Sequence, residues 1–291
     1  MRIRFPSLRW IAALAVLAAP ATVFISAPSA QGADLSLDNI NLADYEALVK
    51  EFSANSMYST VTPASSLGGL WGFEFGVLAH MTQADDTYAL VKRNNANTNF
   101  KNKLYHAGGM LRVGLPYGLT AEGIYLPKLD FSGVKVGRWG IGAQWTITDS
   151  VLEDFPLNLA VKGFYTKTTL TYSQVVNNAS TGNVPVNANI ALDNSMWGIM
   201  ALASYKIFVL EPYVGFGYVK AKGTLNVDAA GNITILNQTF FGTAAKSAES
   251  TPSSAQFQVG TDVRLAFFTL GAEYARVFAK NTYTARLGFR F

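Results

Sequence analysis

The sequence predicts an all-β chain: a transmembrane, antiparallel, up-and-down β-barrel of about ten strands, within a range of eight to twelve, preceded by a short amphipathic helix. Three observations carry this. Apolar and polar residues alternate by twos through eight of ten strand-like segments, aromatic residues gather toward the ends of those segments, and the connections alternate in length. Side chains on a strand point to opposite faces in turn, so alternation by two marks a two-faced strand. A soluble sandwich shares that alternation. Aromatic rims and short-then-long connections are what a membrane wall adds.

The first element is not part of the wall. Residues 1–33 read as an export signal: Arg2, Arg4 and Arg9 precede the uncharged apolar stretch "IAALAVLAAPATVFI", and "SAPSAQGA" supplies small residues for cleavage before Ala33. The apolar run is short of the roughly 20 residues a spanning helix needs, and it contains Pro20. Without the three arginines the 23 basic residues become 20 against 19 acidic ones, about +1, so the formal charge of +4 gives no reason to expect nucleic acid. With no cysteine, the exported chain is held by neither disulfides nor a lipid on sulfur. Charged residues are 14%, low against the roughly 25% of soluble domains.

Residues 34–68 do not alternate. "NLADYEALVKEFS" spaces Leu42, Tyr45, Leu48, Val49 and Phe52 at three and four, an amphipathic helix with Asn41 or Asp44 as cap. "TPASSLGG" follows as a loop. The segment is expected either to cap the periplasmic mouth or to plug the lumen.

Residues 69–291 form the barrel. "GLWGFEFGVLAHMTQ" sets Trp71, Phe73, Phe75, Val77, Ala79 and Met81 against Glu74 and His80. "LYHAGGMLRVGL", "LTAEGIYL", "RWGIGAQWTIT", "LNLAVKGFYTK", "QFQVGTDVRLAF", "TLGAEYARVF" and "NTYTARLGFRF" repeat the pattern. "SMWGIMALASYKIF" and "EPYVGFGYVKA" are strand-like but apolar or small on both faces, so their orientation stays open. Short links at "PYG", "SVLEDFP", "FVLEP" and "AFFT" interleave with expected long loops over 83–103, 173–194 and 223–254. The last of these has a candidate hairpin around Ala230–Gly231, which would raise the count to twelve.

The final strand alternates to its last residue, with Tyr283, Leu287, Phe289 and Phe291 in one apolar row. "YTARLGFRF" resembles the C-terminal signature of bacterial outer-membrane β-barrels, and the resemblance implies that these four residues are read by the barrel-assembly machinery. "TPASSLGGLWGFEFG", "LNLAVKGFYTKTTLTY" and "LEPYVGFGYVKAKG" also resemble a functionally uncharacterised family of proteobacterial outer-membrane proteins. The location this implies is the cell outer membrane, with its lipids as surroundings.

The inward, lumen-lining set is Glu74, His80, His106, Arg112, Glu122, Arg138, Gln144, Lys162, Asp262, Arg264, Glu273, Arg286 and Arg290. Opposite charges there pair across strands and stiffen the wall. Alternatively they line a polar conduit whose cations favour anionic or amphiphilic solutes. His80 and His106 fall side by side if the first two strands pair. A metal site needs a third ligand, which the sequence does not identify, so neither metal nor cofactor is expected. The Asp pairs and Asp–His couple of outer-membrane proteases, and the His–Ser pair of the phospholipases, are not found. An enzyme is therefore not expected and a hydrolase ranks last. The leading expectation is a narrow channel or transporter for small solutes. The alternative is a structural or surface-interaction barrel with a closed lumen and adhesin-like polar loops.

Overall fold

The computed structural model describes residues 42–68, 72–94, 101–131, 134–151, 155–178, 184–230, 233–235, 238–240 and 243–291. The expected export signal, Asn41 and Trp71 lie outside the described residues. Helix α1 (Leu42–Asn55) precedes strand β1 (Phe73–Gln83), helix α2 (Asp85–Asn94) and strands β2 (Lys103–Gly114), β3 (Leu119–Phe131) and β4 (Val134–Thr146). Then come β5 (Asn158–Asn178), β6 (Val184–Ser204), β7 (Leu210–Ala230), β8 (Ile233–Ile235), β9 (Gln238–Phe240), β10 (Thr243–Ser250), β11 (Ser253–Leu265), β12 (Phe268–Val277) and β13 (Lys280–Arg290).

The wall is a closed antiparallel barrel of ten strands, each beside its sequence neighbours. β1 pairs with β2 and also with β13, and β7 closes the circuit between β6 and β11. β10 and β11 keep one register against β7, since Ser250 faces Gly223 and Ser253 faces Lys220. They act as one wall strand interrupted at Thr251–Pro252. At the seam Phe73 and Phe291 exchange backbone hydrogen bonds of 3.1 and 2.9 Å, and their rings stack.

The burial pattern is inverted relative to a soluble sandwich. Polar Glu74, Gln144 and Asp262 are buried, whereas Val77, Ile141, Ile199 and Phe216 on the opposite faces are 54–64% exposed. An apolar outer band with a polar interior is the arrangement of a barrel solvated by lipid. Tyr105, Tyr125, Trp139, Tyr165, Trp197, Tyr218 and Tyr283 form an exposed aromatic rim toward one end of the band, and Phe73, Phe267, Phe268 and Phe291 mark the other. The two unoriented segments are now resolved. β6 turns Met196, Met200 and Ser204 inward and Trp197 and Ile199 outward, while β7 turns Glu211, Tyr213 and Val219 inward.

Two expectations about the connections are overturned. The stretches 173–194 and 223–254 are not long loops. β5, β6, β7 and β10 carry the ladder on through them, with Val176 opposite Val186 and Lys246 opposite Val227. Their Val, Thr and Ile content suits strands, and beyond the membrane band neither face has to be apolar. The stretch 83–103 contains α2. The hairpin expected around Ala230–Gly231 is instead β8–β9, with Ile235 opposite Gln238, and it pairs only with itself among the described residues, leaving ten wall strands.

Candidate functional site

The barrel interior is occupied by residues 45–67. Helix α1 lies at the mouth of the long connections, the opposite end from the chain terminus and the short turns. Its apolar stripe explains the choice. Tyr45 and Val49 are buried against Leu90 of α2, with Leu192, Leu225 and Ala248 of the extended strands packed around them. Val49 seats on Gly223, where a Cβ would come within 2.6 Å of its methyl. The Tyr45 hydroxyl donates to the carbonyls of Gly223 (3.1 Å) and Ala248 (2.9 Å), and burial pushes its pKa up to about 12. Glu51, fully buried, accepts from the backbone N–H groups of Asp86 (2.6 Å) and Thr87 (2.8 Å) at the start of α2 and from Lys280 Nζ (2.8 Å). Free N–H groups at a helix N-terminus favour an anion there. The exposed Asp44–Arg93 pair at 2.6 Å adds little by comparison.

From Ser56 the chain runs as irregular backbone down the lumen. Irregular backbone away from water needs a partner for each polar group, and here wall side chains supply them. Arg138 donates to the carbonyls of Ser56 and Met57, Gln144 Nε2 to those of Pro63 (3.1 Å) and Ala64 (3.2 Å), and Thr146 to Ala64 (2.7 Å). Arg286 donates to Thr60 O (3.4 Å), and Arg290 to Ser66 O (3.1 Å) near the short-turn mouth. Missing side chains on the wall make room: a Cβ on Gly142 would stand 2.8 Å from the Tyr58 hydroxyl, and one on Gly271 2.8 Å from a Val61 methyl.

The inward charges form a connected cluster around this segment. Arg112 Nη1 binds Glu74 and Arg112 Nε binds Glu122, both at 2.9 Å. Both carboxylates stand directly across from Arg112 in the ladders on either side. Lys162 Nζ lies 3.0 Å from Glu122 and donates to the Thr60 (3.1 Å) and Thr62 (2.9 Å) hydroxyls. Arg286 bridges Glu74 (3.1 Å) and Asp262, and Arg264 bridges Asp262 and Glu211 at 2.8 Å each while donating to Ser65 (2.8 Å). Glu273 accepts from Tyr213 at 2.7 Å. All thirteen residues singled out from the sequence therefore face inward, and their cations are committed to carboxylates or to the lumen segment rather than lined along an open conduit. Glu211, Tyr213, Tyr58, Thr60, Thr62 and Glu51 complete the constellation and were not identified.

His80 and His106 do stand opposite each other, with rings stacked at 4.6 Å. His80 binds the Thr284 (2.8 Å) and Thr82 (3.0 Å) hydroxyls, and Arg138 donates to His106 Nε2. Among the described residues no third metal-ligating side chain joins them.

The wall has one discontinuity beside this pair. β2 and β3 pair only from Gly109↔Tyr125 to Gly114↔Thr120, although β2 runs back to Lys103 against β1 and β3 runs on to Phe131 against β4. Pro127 sits at the point of separation, inside a register shift between Leu126 and Leu129. Proline has no N–H to give to a ladder, and a bulge turns the strand away from its neighbour. A narrow cleft opens there.

The profile described as "Family of unknown function (DUF6588)" matches residues 101–291, and the chain belongs to that family. No curated protein matches the chain. Solved structures with a similar fold include Ail, the attachment invasion locus protein of Yersinia pestis, at 12% identity over 76% of this chain and 99% of that one (TM-score 0.34). They also include the translocator domain of the autotransporter NalP from Neisseria meningitidis, at 9% identity over 86% and 95% (TM-score 0.41). A TodX monoaromatic hydrocarbon channel mutant matches at 10% identity over 75% and 67% (TM-score 0.35).

Proposed function

We propose that this member of the family is an outer-membrane barrel that passes small amphiphilic solutes, its lumen held shut at rest by residues 42–68. One observation carries the reading. The wall closes on itself through β1–β13 and β6–β7, so the lumen segment can move without breaking a single rung of the ladder. What holds residues 56–68 is side-chain contact alone, through groups such as Arg138, Gln144 and Lys162. A filler meant only to stiffen the barrel gains nothing from being separable in this way. In this reading residues 1–33 direct export, the short-turn mouth faces the periplasm, and Phe291 with Tyr283, Leu287 and Phe289 is read by the assembly machinery.

The test is conductance in planar bilayers of the refolded mature chain and of a variant lacking residues 42–68. Steady current that rises on deletion supports a plugged passage. Silence from both folded proteins would favour the second reading, a closed structural barrel, for which the paired cluster of Arg112, Glu74 and Glu122 speaks.

A further inference from the structure

The unzipped stretch of wall lies at a defined level. Tyr105 and Tyr125 flank it, 65% and 62% exposed, on the aromatic rim nearest the long connections. Tyrosines of this kind mark the membrane–water interface. Across the gap, residues 103–108 of β2 and 126–131 of β3 have no ladder partners in each other. Leu104 O takes a hydrogen bond from Asn55 Nδ2 at 3.3 Å. The gap begins at Tyr125 and runs toward the long connections, so its unpaired backbone groups lie at the interface, where water or the polar end of an entering molecule can meet them.

The cleft crosses the wall, because outward-facing Tyr125 and Gly109 line it together with inward-facing His106 and Arg138. Met57, Leu78, Ile124 and Leu126 make the rest of it apolar. At its inner side stands a cation with spare capacity. Arg138 is buried and its Nε has no partner among the described residues, although its terminal nitrogens are engaged. Since Arg138 donates to Nε2 of His106, the ring proton resides on Nδ1, a second donor without a partner among the described residues. The cleft is narrow, with room between its side chains for little more than a small polar group, so a carboxylate can enter it while an attached tail stays on the membrane side.

We propose that this cleft between β2 and β3 is a binding site for a small monocarboxylate with an apolar acyl or aryl tail, admitted sideways from the membrane interface. The carboxylate accepts from His106 Nδ1 and Arg138, and the tail runs outward past Gly109 and along the exposed ring of Tyr125 into the membrane interface. The proposal rests on the reading of the barrel as a solute passage and names its substrate class.

The probe is labelled decanoate, measured by equilibrium dialysis against phosphatidylcholine vesicles carrying the refolded mature chain, with protein-free vesicles subtracted. Saturable binding is expected, with decanol binding at least about ten-fold more weakly, the effect of losing hydrogen bonds to a charged group. His106→Phe keeps the ring stack on His80 and removes the donor, and should weaken decanoate by about ten-fold while leaving decanol unchanged. Leu126→Trp, which fills the cleft from the rung directly across from Arg138, should abolish binding of both. The proposal is overturned if the folded wild-type barrel binds no decanoate saturably, if His106→Phe binds it as well as wild type, or if short-chain phosphatidylglycerol displaces it. Conductance reports separately: decanoate binding with silent bilayers removes the passage and keeps the cleft, and conduction without decanoate binding does the reverse.

Discussion

Glu122→Gln is the substitution whose cost follows most directly from the geometry. Glu122 holds Arg112 Nε at 2.9 Å, Lys162 Nζ at 3.0 Å and the Thr60 hydroxyl at 2.9 Å, and its side chain is wholly buried. Arg112 retains Glu74 after the change, whereas Lys162 loses its only ion-pair partner among the described residues and keeps the hydroxyls of Thr60 and Thr62. Removing one partner of a buried pair costs about 3–5 kcal/mol. Glutamine preserves volume and can still accept from Thr60, which places the expected loss near the lower figure, about 3 kcal/mol. Adding Lys162→Met removes the orphaned ammonium and should restore about half of that loss or more. The assay is reversible urea unfolding in lipid vesicles, with Glu249→Gln as the control. That exposed pair with Lys222, at 2.7 Å, should matter by less than about 1 kcal/mol. A Glu122→Gln loss no larger than the control, or a double variant less stable than the single, would refute the reasoning.

Other predictions follow from the seating of the lumen segment and the wall gap. Gly142→Val should drive Tyr58 from its place and speed amide exchange over residues 57–62, whereas Gly163→Val, with nothing within 4 Å of its Cβ, should not. Tyr45→Phe removes a hydroxyl that two carbonyls share and should cost about 1 kcal/mol, read by the same urea titration. Compared with the wild type by ultraviolet titration, Tyr45→Phe should lose a phenol that ionises around pH 12, because burial disfavours its charged form. Pro127→Ala returns an N–H to β3 at the point of separation and should raise amide protection in residues 103–108 of β2. Unchanged protection there would mean that proline is not what parts the strands.

The wall was legible because its determinants are local. Alternation in "GFEFGVLAH" fixes which side of β1 is polar, and lipid outside forces that side inward, so Glu74 and His80 could be placed from the sequence alone. One neighbour followed from assuming that strands adjacent in sequence pair, since His80 stands opposite His106 even across the long 83–103 connection. What fills the lumen was not legible, because its contacts are set by closure. Lys162 reaches Thr60 across about a hundred residues of sequence, and Arg286 reaches Asp262 only through the strand between them. The same holds for the mouth at which α1 docks, which depends on strands extending past the membrane through Asn- and Thr-rich stretches that read as loops. One clue nevertheless lay in plain view. Gly142, Gly223 and Gly271 occupy inward positions where a strand loses stability for want of a side chain, and each meets a residue of the 42–68 segment: Tyr58, Val49 and Val61. Gly198 and Gly215 face inward as well but meet Phe164 and Met200 of the wall, so an inward glycine marks a close approach, and only closure decides whether the wall or an inserted chain makes it.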